Sequence, residues 1–225
     1  MDADVAAAAG LFADRTRASV IAALLDGRSL TAGELARSCD VSAATISAHL
    51  RRLLDAGLVA VSAQGRHRYY RLADERAGRA FEALAVLAPV LPVRSLRQSR
   101  AAASLRAART CYDHLAGHAG VRLAEALVSR GILGPGGFAL LAPAELTSFG
   151  VDVAAAERSR RSFAHPCLDW SERRHHLAGA LGAALLDRLV TLEWLVRDRS
   201  SRAVRVTDAG HDGLRSRFGC DLTVL

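Results

Sequence analysis

The spacing of apolar positions gives the first half of the chain a clear order of elements. From Leu11, LFADRTRASVIAALL places Leu11, Ala18, Ile21, Leu24 and Leu25 at helical intervals, and Asp26-Gly27 breaks the run. Thr31, with Glu34 three residues on, has the capping-box spacing and opens a short helix, AGELARSC, that ends at Cys39-Asp40. Ser42 caps a third helix, AATISAHLRRLLDAG, with Ile46, Leu50, Leu53 and Leu54 on one stripe and Gly57 as its stop. LVAVSAQGRHRYYRL then reads as two short strands folded at Ala63-Gln64-Gly65. Short helix, tight turn, longer helix and hairpin predict a winged helix-turn-helix over residues 1–92. In that fold the third helix offers its polar face to the major groove, and the hairpin reaches the flanking backbone. Ser42, Ala43, Thr45, Ser47, His49 and Arg51 on the helix, and Arg66, Arg68 and Tyr69 on the wing, are the expected contacts to double-stranded DNA.

These residues also carry a family resemblance. The pattern Ser42-x-x-Thr45-Ile46-Ser47-x-His49-Leu50, then Ala56-Gly57-Leu58-Val59, then Gly65-Arg66-x-Arg68-Tyr69-Tyr70-Arg71-Leu72, resembles the recognition helix and wing of the ArsR family of bacterial repressors, over about residues 10–90. The resemblance implies a homodimer on an inverted-repeat operator, a repressor that leaves DNA when an effector arrives. Two departures accompany it. Where metal-sensing members carry cysteines before the recognition helix, this chain has Thr31 and Gly33. The helix after the wing, roughly Arg76 to Leu87, lacks the histidine of the other common metal site.

Pro89, Pro92 and the basic stretch 94–100 read as a hinge, with a linker or helical connection over 93–109 and an effector domain over 110–225. That domain carries an internal repeat. HLAGHAGVRLAEALVSRGIL from His114 and HLAGALGAALLDRLVTLEWL from His176 match at an offset of 62, and the tails Phe149-Gly-Val-Asp-Val153 and Phe218-Gly-Cys-Asp-Leu222 match at 69. The expectation is a duplicated helix–hairpin unit, about 114–153 and 176–222, each half a degenerate winged helix about a pseudo-twofold axis. The whole chain is then mainly α with small β-hairpins, an α+β class.

Ligand-type side chains gather near both copies of the repeat. Cys111-Tyr112-Asp113-His114 places Cys and His at i and i+3, expected on one helical face, with His118 a turn further; Pro166-Cys167-Leu168-Asp169-Trp170 precedes a second helix expected to carry His175 and His176. If the halves face each other, Cys111, His114, Cys167 and His176 form a two-sulfur, two-nitrogen set suited to zinc or another thiophilic metal. Haem ligation and oxidant-titrated thiols are alternative uses. A small organic effector is the rival, in an apolar pocket between the halves lined by Tyr112 and Trp170, with Asp169 nearby. An architectural DNA-binding protein without an effector is the remaining alternative.

Composition narrows this little further. The formal net charge is +7 and every cation is arginine, but the excess is spread over both halves and does not locate a nucleic-acid face. The four cysteines are far apart with no Cys-x-x-Cys, against a zinc ribbon or disulfide framework. No apolar run reaches the ~20 residues of a membrane span, and the acidic start differs from a signal peptide, so a cytoplasmic protein is expected. No nucleophile elbow, phosphate loop or His-Glu-x-x-His is present, and the chain is read as no enzyme.

Overall fold

Asp14 interrupts what the apolar spacing suggests as a single first helix. Its side chain accepts from the Arg17 amide as the N-cap of α2 (Arg15–Leu24), and a separate α1 (Val5–Phe12) precedes it. The structure is a computed structural model that describes residues 3–89, 95–198 and 201–222. The chain divides into two units, Met1–Leu84 and Ala85–Leu225. Pro92 and Arg94 of the expected hinge lie outside the described residues.

In the first unit β1 (Leu30–Thr31) leads into α3 (Ala32–Cys39), whose N-cap Thr31 and Glu34 form the reciprocal capping box. Asp40 takes the left-handed conformation that ends α3, and Ser42 caps α4 (Ala43–Asp55). α4 buries Ile46, Leu50 and Leu53, while Leu54 is only half-buried. The wing follows as β2 (Val59–Gln64) and β3 (His67–Leu72). Gln64 pairs with His67, so the turn is Gly65-Arg66, with Gly65 at φ +59, one residue later than the alternation suggests. β1 adds a third strand to this sheet, Leu30 opposite Tyr70 and Thr31 opposite Tyr69. Val20, Ile21, Leu24, Leu35, Ile46, Leu50, Leu53 and Leu72 close the core beneath it. α5 (Glu75–Leu87) runs across the unit boundary.

The second unit opens with α6 (Leu96–Ala107) and then follows one order of elements twice. First come the hairpin β4 (Arg109–Cys111)–β5 (His114–Ala116), α7 (Gly117–Ser129), an isolated bridge between Leu133 and Leu140, and α8 (Pro143–Ser148). After α9 (Val153–Arg158) come the hairpin β6 (His165–Leu168)–β7 (His175–Ala178), α10 (Ala180–Thr191), the hairpin β8 (Leu195–Arg197)–β9 (Val204–Val206), and α11 (Asp208–Phe218). The two halves interlock: α7 packs on β7 and α10 on β5. Glycines of the repeat make this possible. A Cβ on Gly120 would sit 2.5 Å from the Leu115 carbonyl oxygen and 3.5 Å from His176 Cβ; on Gly182 it would sit 2.6 Å from the Leu177 carbonyl oxygen and 3.2 Å from His114 Cβ. Leu115, Leu123 and Leu127 face their counterparts Leu177, Leu185 and Leu189 in one core, and Phe149 meets Phe218 edge-on at 4.9 Å.

Two expectations need correction. Cys111 and His114 are not neighbours on a helix but the closing pair of the β4–β5 hairpin, with Tyr112 at φ +61 and Asp113 as its two-residue turn. His175 and His176 do not open a helix; they begin β7, and α10 starts only at Ala180. The physical reason is shared. Residues i and i+3 are adjacent both on a helix and across a two-residue turn, and antiparallel pairing of both hairpins satisfies the backbone that a helix would otherwise satisfy.

Candidate metal centre and DNA-reading surface

Hairpin register brings the sulfur and nitrogen ligands together. Cys111 stands opposite His114 in β4–β5, and Cys167 stands opposite His176 in β6–β7. Because the hairpins come from the two interlocked halves, all four side chains converge. Their ligand atoms lie within 4.8 Å of one another, and all four residues are buried. The His114 and His176 Nε2 atoms are 3.2 Å apart and the Cys111 and Cys167 Sγ atoms 4.0 Å apart.

Each imidazole is backed by a carboxylate on its other nitrogen. His114 Nδ1 stands 3.5 Å from Asp113 Oδ1, and His176 Nδ1 stands 3.5 Å from Asp169 Oδ2. Each carboxylate is in turn held by an arginine under an aromatic ring. Arg161 grips Asp113 through both terminal nitrogens and lies 5.1 Å from the Tyr112 ring centre; Arg109 donates to Asp169 at 2.8 Å and lies 4.8 Å from the Trp170 ring centre. Tyr112 and Trp170 therefore cover arginines instead of lining a pocket between the halves. The apolar space there, walled by Leu115, Leu123, Leu127, Leu177, Leu185 and Leu189, holds a void of only ≈ 10 Å³, no more than a single water needs.

Electrostatics separate the two histidines. Burial opposes charge on His114, but the Cys111 sulfur and the Asp113 carboxylate outweigh it and carry the imidazole up to about 9. His176 moves the opposite way: burial and the charge on His114 push it well below its ordinary value, against the pull of Asp169. Two cations at this separation cannot both be held, so the pair carries at most one charge. Burial would raise the Asp169 carboxyl, but Arg109, Ser171 and the Gly117 amide hold it far below the usual carboxylate range. A borderline-soft cation requires deprotonated sulfur and neutral imidazole, so its binding here would displace the proton that His114 holds, while the carboxylate behind each ring supplies the outer support such ligands use.

Arg109, Asp113 and Arg161 complete the site without a signal that residue spacing alone makes plain. Asp113 is legible in principle, being next to His114, whereas nothing in the flanking alanines marks Arg109. His118 lies on α7 with its Nδ1 3.3 Å from Glu172 Oε2 and is not among the four, and His175 is exposed.

In the first unit, α4 exposes Ala43, Thr45, Ser47 and Arg51, with Ser42 at its start. The Ser42 hydroxyl accepts from the Thr45 amide and the Ser47 hydroxyl donates to the Ala43 carbonyl. His49 is less free than its neighbours: its Nδ1 lies 3.4 Å from Asp14 at the start of α2. Arg66 and Arg68 are exposed on the wing, and Tyr69 is half-buried between Ser62 and Thr31 in the sheet.

A helix-turn-helix domain model matches residues 12–62. An uncharacterized HTH-type transcriptional regulator of Bacillus subtilis, YdfF, is 44% identical over 214 residues, spanning 93% of this chain and 95% of its own. Among solved structures, HlyU from Vibrio cholerae matches 39% of this chain and 97% of its own at 28% identity and a TM-score of 0.35. The cadmium metal-sensor CMTR from Mycobacterium tuberculosis matches 41% and 99% at 33% identity and a TM-score of 0.33. No helix among the described residues is long and apolar enough to cross a membrane. With the helix-turn-helix and its hairpin in place, and with an HTH-type regulator matching it over nearly its full length, the chain belongs to the HTH-type transcriptional regulators and binds DNA to control transcription.

Proposed function

We propose that this regulator binds an inverted-repeat operator as a homodimer and that its effector is a thiophilic metal ion held by Cys111, His114, Cys167 and His176. The observation that carries the effector reading is the shape of the ligand set. A tetrahedral ion with bonds of about 2.3 Å to sulfur and 2.0–2.1 Å to nitrogen sets two sulfurs about 3.8 Å apart and two nitrogens about 3.3 Å apart. The separations here are 4.0 and 3.2 Å. The four donors lie within 4.8 Å of one another, whereas a porphyrin requires a slot between its axial ligands, so zinc or a similar ion fits better than haem. With both cysteines as thiolates, a divalent ion leaves the buried centre neutral.

The remaining roles follow the first unit's surfaces. α4 from Ser42 to Arg51 reads base edges, and Arg66 and Arg68 meet phosphates. α1 buries none of its residues, and Val5 and Leu84 are exposed, which suits a second copy of the chain as their partner. A non-catalytic, cytoplasmic role accords with this assignment.

A test begins with a duplex that the protein selects from a random-sequence pool. Cobalt(II) is expected to bind one per chain with the absorption of a tetrahedral two-sulfur centre, and to change affinity for the duplex. The Cys111→Ser, Cys167→Ser double variant should bind the duplex yet lose both responses; an unaltered response would sink the metal reading. One observation favours a second effector class. A groove of ≈ 1160 Å³ between α6 and the β8–β9 hairpin sets Arg97 and Arg205 around Leu105 and Val204, a surface for an amphipathic organic anion. A response that survives loss of both cysteines would favour it.

A further inference from the structure

The two carboxylates behind the histidines look alike but lead to different places. Asp113 is tied to Arg161, a partly exposed residue in the segment after α9. Asp169 is fully buried, and its oxygens are heavily used. Oδ1 accepts from the Ser171 amide at 2.9 Å, the Ser171 hydroxyl at 2.7 Å and the Glu172 amide at 3.1 Å. Oδ2 accepts from Arg109 Nη2 at 2.8 Å and the Gly117 amide at 2.7 Å, and it is also the atom that faces His176 Nδ1.

Arg109 is as deeply buried as its partner. Its Nη1 donates to the Ser171 hydroxyl and to the Leu105 carbonyl, both at 3.1 Å. That carbonyl lies in the last turn of α6, where backbone acceptors lack a partner within the helix. One arginine therefore fastens the end of α6 to the carboxylate that backs a candidate metal ligand. α6 is the first helix the chain enters after α5. Arg161, by contrast, ties the β4–β5 turn to the segment after α9 through its two bonds to Asp113.

We propose that Asp169 and Arg109 are a positioning pair that couples metal occupancy of the four-residue centre to the C-terminal end of α6. The inference rests on the metal reading above. An ion on His176 Nε2 draws electron density from the ring and makes Nδ1–H a stronger donor, so the 3.5 Å separation from Asp169 closes toward a hydrogen bond. Oδ2 then serves three donors at once. Its redistribution between His176, Gly117 and Arg109 changes how Arg109 is held against Leu105. Empty and filled centres thereby favour different states of the α6 end, which is the differential interaction that any coupling requires.

Hydrogen exchange on the full-length protein tests this, with and without one equivalent of zinc, in the wild type and in Arg109→Lys and Arg161→Lys. Zinc should slow exchange at the β7 amides in all three proteins. At residues 106–108 it should change exchange about fivefold or more in the wild type and Arg161→Lys, and that effect should vanish in Arg109→Lys. Asp169→Asn should lower zinc affinity about 10- to 100-fold while keeping the tetrahedral cobalt spectrum. Unchanged exchange at 106–108 in zinc-loaded wild type overturns the coupling, whether or not the lysine variant folds; so does an equal response in folded Arg109→Lys. A wild type that takes up no zinc or cobalt overturns the metal reading itself, a result distinct from a bound metal that leaves α6 untouched.

Discussion

At the scale of single residues, two polar groups with similar hydrogen-bonding roles differ greatly in consequence because of burial. Ser42 is exposed and gives the Thr45 amide its cap, so Ser42→Ala should cost about 1 kcal/mol, read as a small fall in the first unit's denaturation midpoint. Arg109 and Asp169 are both wholly removed from solvent. Replacing Arg109 by Met leaves a carboxylate in the interior without its cation, at a cost of about 3–5 kcal/mol. Urea unfolding of the second unit should show that difference; a loss below about 1 kcal/mol would mean that water reaches Asp169 and that the pair is not sealed. The first residue is legible in the sequence and the second is hidden. Ser42 sits one position before an amphipathic run, where caps belong. Arg109 stands between Ala108 and Thr110 in a stretch resembling a surface linker, and its role depends on a residue 60 positions away. Asp169 reads as an effector contact from its nearness to Cys167; its place behind His176 emerges only from the fold.

Among elements, the same contrast separates local from long-range order. α3 and α4 are readable because their stops and caps lie within the segment. The hairpins β4–β5 and β6–β7 are not. Cys111-Tyr112-Asp113-His114 lacks the glycine that usually announces a two-residue turn, and Tyr112 takes the positive φ instead. In β6–β7 six residues separate Leu168 from His175, too long a gap for a turn motif to signal pairing. The clustering of Cys111, His114, Cys167 and His176 is nevertheless legible, because a sequence repeat brings equivalent residues together whether they sit on strands or helices. The different roles proposed for the wing and α4 permit a prediction. Arg66→Ala with Arg68→Ala should weaken binding to every duplex and lower the slope of log affinity against log salt by about 0.9 for each phosphate no longer neutralised. Thr45→Ala with Ser47→Ala should leave that slope unchanged and reduce discrimination against mismatched sites by about 1–3 kcal/mol for each base pair read. Competition titrations at several salt concentrations distinguish the two; an identical loss of slope from both would place phosphates, not bases, at α4.

For the whole molecule, the decisive feature is that the candidate centre draws one cysteine and one histidine from each half of the second unit. A metal ion there closes the interlocked halves on each other and has no ligand in the first unit. Binding to the folded state alone stabilises by about 2.7 kcal/mol when free metal stands at 100 times its dissociation constant. That increment belongs to the unit that holds the ligands. Zinc should therefore shift the unfolding of residues 85–225 to higher urea and leave the transition of 1–84 where it was, with spectroscopic probes placed in each unit. Trp170 and Trp194, both in the second unit, report that transition by fluorescence, and Tyr69 and Tyr70 lie in the first. The Cys111→Ser variant and the Cys167→Ser variant should each forfeit nearly all the shift, because three ligands from two halves no longer form a closed tetrahedron. A zinc-induced shift in the first unit's transition as well would mean that the units unfold together, and the effector's energy would then reach the DNA-reading helix through that shared cooperativity and not through α6 alone.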